Sequence, residues 1–138
     1  MNQSSKTSLI IAVDFDGTIV KNAYPKIGKP QLFAFDTLKQ LEKDGHRLIL
    51  WTYRKGKRLE EAVEFCRKNG LEFYAVNHSF PEEKHDPSVS RKIDADVFID
   101  DRNVGGLPSW GEIYQMITNE TPEHLKQKKS FIQKIFKW

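Results

Sequence analysis

The sequence predicts an α/β domain built on a parallel sheet, and three observations carry that expectation. Short aliphatic runs alternate along the chain with stretches of helical periodicity. The runs are continuous rather than alternating, as in strands covered on both faces. Three of them stop at a polar residue able to do chemistry, namely Asp14, Thr52 and Asp100. Strands that alternate with helices form parallel sheets with right-handed crossovers. In such sheets sites lie beyond the carboxyl ends of the strands, near the point where strand order reverses. Asp14, Thr52 and Asp100 should therefore converge on one crevice.

Leu9 to Val13 reads as the first strand. Pro30 is suited to the first turn of a helix, where its missing N–H costs nothing, and Ala34, Leu38 and Leu41 then recur at helical spacing until Gly45. His46 to Tyr53 is the second strand, with Leu48 to Trp51 as its apolar run. Leu59, Ala62, Val63 and Cys66 form the buried stripe of a second helix, ended by Asn69 and Gly70 in the manner of a left-handed cap. Leu71 to Val76 is the third strand. Asn77 to Arg91, with Pro81 and Pro87, is a long loop with room for a short helical turn. Ala95 to Ile99 is the fourth strand, and Gly105, Gly106 and Pro108 make a turn before a helix from about Ser109 to Ile117.

At 138 residues the chain has the length of one domain, so residues 1–138 are expected to form a single unit with one site. Residues 1–8 read as a flexible start, not a signal peptide. With 38% hydrophobic and 30% charged residues, the composition is that of a globular protein. No apolar run approaches the ~20 residues of a membrane span, and a cytoplasmic location is the expectation. The single cysteine, Cys66, falls on the apolar face of its helix and reads as a structural thiol. The net charge of +3 hides an uneven distribution. Acids mark strand ends, while bases crowd Arg54 to Arg58 and residues 121–138. That tail reads as a basic amphipathic helix. Its face of Leu125, Phe131, Ile132, Ile135 and Phe136 suits packing on the domain or a second subunit, with a membrane surface as the alternative. Basic segments suit an anionic substrate and leave nucleic acid open as a partner.

Asp14-Phe15-Asp16-Gly17-Thr18 places two carboxylates two residues apart where a strand leaves the sheet. Gly17 permits the sharp turn that would aim both at one point. Together with Asp100 and Asp101 the site carries four negative charges, which a divalent cation resolves. Oxygen ligands without a neighbouring histidine or cysteine favour Mg²⁺ over zinc. A metal-neutralised Asp14 is then a nucleophile toward phosphorus, with Asp16 as acid and base. Thr52 can donate to a phosphoryl oxygen, and Lys92, or Lys84 in the same loop, can offset negative charge. Gly17, Tyr53 and Arg54 are further candidates for contact with substrate phosphate.

In family order these segments resemble the four motifs of the haloacid-dehalogenase-like hydrolases. Asp14 to Thr18 is similar to the first motif, Leu48 to Thr52 to the second, Lys92 to the lysine of the third, and Val97 to Asp101 to the acidic fourth. The resemblance implies a Rossmann-like three-layer α/β/α sandwich and a Mg²⁺-dependent phosphomonoester hydrolase acting through an aspartyl-phosphate at Asp14. It further implies Mg²⁺ held by Asp14, the Asp16 carbonyl and Asp100, with Asp101 assisting. Asp100 and Asp101 remain alternatives for the direct ligand. The segments 19–29 and 54–91 are too short for an inserted cap domain, so the chain resembles cap-less members. Its substrate would be a phosphorylated metabolite, nucleotide or macromolecule, and a homo-oligomer could supply a missing cap. The alternative is a non-hydrolytic phospho-acceptor or metal-binding module whose activity needs a partner.

Overall fold

A computed structural model describes residues 8–118 of the chain. The expected amphipathic helix at 121–138 lies outside the described residues. Four parallel strands, β1 (Ile10–Val13), β2 (Arg47–Leu50), β3 (Ala75–Val76) and β4 (Val97–Ile99), form one sheet in the order β3-β2-β1-β4. Helix α1 (Ala34–Lys43) joins β1 to β2, α2 (Gly56–Lys68) joins β2 to β3, and α3 (Trp110–Thr118) follows β4. The chain thus has the α/β architecture with a central parallel sheet that its sequence predicts. No cap domain interrupts the described residues. No helix among them is long and apolar enough to cross a membrane.

The register explains where the core forms. Ala12 stands beside Ile49 and Phe98, and Val13 beside Leu50 and Ile99. Ile11, Val13, Leu48 and Leu50 are essentially inaccessible to solvent. Burying aliphatic side chains of this size is worth about 1.5–3 kcal/mol each. On the opposite face Ala12, Ile49, Ala75 and Ile93 form a second cluster, against which Trp51, Tyr74 and Phe98 pack. Phe65 of α2 touches both Phe35 of α1 and Phe15 beyond β1, with ring centroids 6.0 and 6.4 Å apart. The turn after β1 is thereby tied to both helices.

Residues 8–107 form one compact unit, and the described residues 108–118 belong to another. In that second segment Ser109 and Glu112 make a reciprocal cap at the start of α3. The Glu112 N–H donates to the Ser109 hydroxyl at 3.2 Å, and the Ser109 N–H donates to the Glu112 carboxylate at 3.0 Å.

Several boundaries differ from the sequence expectation for local reasons. Pro30 does not open α1. It pairs with Val20 in an isolated antiparallel bridge, and α1 starts only at Ala34, after Phe33 in a left-handed conformation with φ 65°. β2 stops at Leu50 rather than Tyr53, because the Thr52 N–H leaves the sheet ladder for the Asn77 side chain at 2.8 Å. The third strand shrinks to Ala75–Val76, since Leu71 still donates back to Cys66 of α2. α2 ends as expected, with Gly70 at φ 86°. Cys66 is fully buried, and burial pushes its thiol up to about 12.

Candidate active site

The strand order reverses at β1, whose chain neighbour β2 lies on one side and β4 on the other. Asp14 leaves the sheet at this point, its N–H donating to the Ile99 carbonyl at 3.0 Å. The chain then folds into one tight turn, in which the N–H groups of Thr18, Ile19 and Val20 all converge on the Phe15 carbonyl. Gly17 takes φ 87° there, a region that L side chains avoid. A β-carbon at Gly17 would stand 2.2 Å from a carboxylate oxygen of Asp101, so this turn and the end of β4 meet over a glycine for lack of room.

Asp14, Asp100 and Asp101 each offer a carboxylate oxygen, and the three atoms lie within 4.8 Å of one another. Thr18, fully buried, joins them. Its hydroxyl lies 3.0 Å from Asp14 Oδ2 and 3.3 Å from Asp101 Oδ1 as donor, and it accepts the Asp101 N–H at 3.0 Å. Asp100 Oδ1 accepts the Arg102 N–H at 2.8 Å. Among the described residues no ion pair involves Asp14, Asp100 or Asp101. Burial, with the charge of Asp100 beside it, pushes the Asp14 carboxyl up to about 7. Three converging carboxylates with no protein cation among them fit a hard divalent ion with oxygen ligands, and Mg²⁺ is such an ion.

A pH dependence follows. The folded-state value of Asp14 lies above its ordinary 3.8, so between these values the fold holds a proton that the unfolded chain releases. Without metal, stability contributed by that proton is present in acid and lost as pH rises toward 7. Mg²⁺, if these carboxylates hold it, would have to displace the same proton. Its apparent affinity should weaken by about tenfold per unit below pH 7 and level off above it. Titration calorimetry in buffers of different ionisation enthalpy measures both the affinity and the proton released. Affinity constant from pH 5 to 8 would show that Asp14 is not a ligand.

Asp16 stands apart from the three-carboxylate group. Both its oxygens are taken by Arg54, whose Nε and Nη2 each donate at 2.8 Å. The sequence offers Arg54 as a candidate for contact with substrate phosphate. Arg54 is instead 1% exposed, and its remaining N–H groups reach the carbonyls of Lys26 at 2.8 Å, Pro25 at 3.1 Å and Arg58 at 3.4 Å. Five donors and five acceptors leave nothing for a phosphate. Tyr53, beside it, is 93% exposed and stays accessible to a ligand.

Thr52 lies past the end of β2. Its N–H donates to Asn77 Oδ1 and its hydroxyl oxygen accepts the Arg54 N–H at 3.1 Å, so of its two donors only the hydroxyl proton remains for a ligand. Lys92 is exposed, with Nζ 5.6 Å from the centre of the Phe98 ring, on the strand beside β1. It follows Ser90, whose hydroxyl accepts its N–H, and precedes the buried Ile93. Lys84 is exposed in the preceding loop. Neither lysine forms an ion pair with a site carboxylate among the described residues.

Sequence reasoning gave no role to Thr18 or Asn77. Thr18 follows Gly17 in a turn that carries it back to Asp14, a signal legible only as a hydroxyl four residues after an acid. Asn77 takes φ 56°, a conformation asparagine tolerates better than most residues, at the end of β3.

The chain matches no protein-family model and no curated protein. Among solved structures, a conserved protein from Bacteroides thetaiotaomicron aligns with it at a TM-score of 0.79 and 56% identity, over 83% of this chain and 93% of that one. At that identity and coverage, the chain belongs to the same family as this conserved Bacteroides protein.

Proposed function

We propose that this protein is a cap-less phosphomonoester hydrolase of the haloacid-dehalogenase-like type, with Asp14 as nucleophile. The observation that carries this reading is the convergence of Asp14, Asp100 and Asp101 at the reversal of strand order, with a fourth carboxylate, Asp16, held apart by Arg54. Two carboxylates two residues apart, one inside the three-carboxylate group and one outside it, stand in different surroundings and can take separate roles.

Mg²⁺ when bound, by Asp14, Asp100, Asp101 and the Asp16 carbonyl, neutralises the negative charge that would otherwise repel a phosphate. A carboxylate oxygen of Asp14 attacks phosphorus while the bond from phosphorus to the leaving oxygen breaks. Asp16 gives that oxygen a proton. Asp16 then takes a proton from water as the water attacks the acyl phosphate, which frees phosphate and restores Asp14. The Thr52 hydroxyl donates to a phosphoryl oxygen, and Lys92 swings from Phe98 to offset charge on the intermediate. With no inserted cap over the strand ends among the described residues, the site suits phosphate groups that protrude from their carriers.

The test is phosphate release from a panel of sugar phosphates, nucleotides, phosphopeptides and an aryl phosphate, with Mg²⁺ and with chelator. Release that requires Mg²⁺ is the expected result. No release from any of them while Mg²⁺ still binds would point to a non-hydrolytic phospho-acceptor or metal-binding module.

A further inference from the structure

We infer that Arg54 is the positioning residue that aims Asp16 during proton transfer, an assignment that rests on the hydrolase reading above. Arg54 lies outside the three-carboxylate group and touches Asp16 alone among the site's acids. Its guanidinium fork meets the carboxylate edge to edge, with two parallel bonds of 2.8 Å. Such a fork fixes the plane of a carboxylate, which a lysine's single ammonium does not.

The fork is itself held. Its guanidinium carbon lies over the rings of Phe15 and Tyr24, 5.2 and 5.0 Å from their centroids, and three backbone carbonyls take its other protons. Two of those carbonyls, at Pro25 and Lys26, belong to a loop whose ends are pinned by the Lys21 N–H on the Lys29 carbonyl at 2.8 Å. Gly28 packs so tightly there that a β-carbon would stand 2.0 Å from the Lys21 carbonyl. Burying a cation is costly, and an apolar side chain would fill a merely structural position at less cost. What the arginine adds is direction. It occupies one lone pair on each Asp16 oxygen, and the second lone pair of each is left to exchange a proton with the leaving oxygen or with water.

Positioning of an acid matters in proportion to how badly the leaving group needs a proton. The experiment is therefore a series of aryl phosphates with leaving groups of graded acidity, read as kcat/KM, which reports on the step that expels the leaving group. For Arg54→Lys, kcat/KM should stay within a few-fold of the parent for dinitrophenyl phosphate and fall by about a hundredfold for phenyl phosphate. Added guanidinium should restore the phenyl phosphate rate in Arg54→Ala. Mg²⁺ affinity by calorimetry should not change in Arg54→Lys, and thermal denaturation establishes that the variant is folded. If Arg54→Ala does not fold, the Arg54→Lys series decides alone. An equal loss across the series in an active, folded variant would overturn the positioning role and leave the hydrolase reading standing. Absence of Mg²⁺-dependent release from the parent protein would instead overturn the hydrolase reading, and this inference with it.

Discussion

Asp14→Asn should lower phosphate release by about 10⁴-fold or more while making the metal-free fold more stable above pH 7. Asparagine has no anionic oxygen with which to attack phosphorus, and loss of a covalent nucleophile removes a whole pathway rather than one contact. The stability gain has a separate cause. Burial and the neighbouring Asp100 make the Asp14 carboxylate costly to ionise, as its value near 7 records. A neutral amide of the same shape removes that cost. Its side-chain oxygen can still accept the Thr18 hydroxyl, which lies 3.0 Å from Asp14 Oδ2. After discounting for solvent that still reaches the group, the gain is about 2 kcal/mol. Chemical denaturation at pH 8 with chelator measures it. A variant that releases phosphate normally, or one less stable than the parent under those conditions, would contradict the role given to Asp14.

The largest structural effect is expected from Gly17→Ala. At φ 87° an alanine costs about 1–2 kcal/mol in backbone strain alone. Its β-carbon would also be placed 2.2 Å from one oxygen of the Asp101 carboxylate, whose other oxygen lies 3.3 Å from the Thr18 hydroxyl. The Asp101 N–H is bonded to the Thr18 hydroxyl at 3.0 Å, and Thr18 is wholly buried. Relieving the clash therefore means pulling Asp101 out of the three-carboxylate group. A total loss of about 3 kcal/mol or more corresponds to a fall in melting temperature beyond ~10 °C for a domain of this size. The upward shift that Mg²⁺ gives the parent should shrink in the variant. Thermal scans with and without Mg²⁺ read both effects. An unchanged melting temperature with an undiminished Mg²⁺ shift would show that Gly17 is not the contact between the turn and the acidic end of β4.

The outline of this fold was legible because its strands are written as unbroken aliphatic runs. β1 and α2 match their sequence signatures to within a few residues, and Asp14 and Asp100 stand at strand ends as the pattern requires. Boundaries were less legible where tertiary partners decide them. Pro30 satisfies the local rule for opening a helix, yet it is drawn into a bridge with Val20. Arg54 is the clearest case within the site. In sequence it opens a run of basic residues that reads like a solvated helix start. In the fold it is buried against Asp16, 38 residues earlier, and against two carbonyls 28 and 29 residues earlier. No local pattern separates it from Lys55, Lys57 or Arg58, which stay exposed. Lys92 shows the converse. Its place in the order of motifs is clear, but its contact with Phe98 belongs to a loop whose course the sequence does not specify.

The central claim is that phosphate passes through a covalent bond to Asp14. Rapid acid quenching during turnover, followed by mass analysis of the peptide carrying Asp14 to Thr18, tests it most directly. A phosphoryl group should form on Asp14 with substrate and Mg²⁺, be absent with chelator, and accumulate when Asp16→Asn slows its hydrolysis. Steady turnover with that peptide unmodified in both the parent and Asp16→Asn would contradict it.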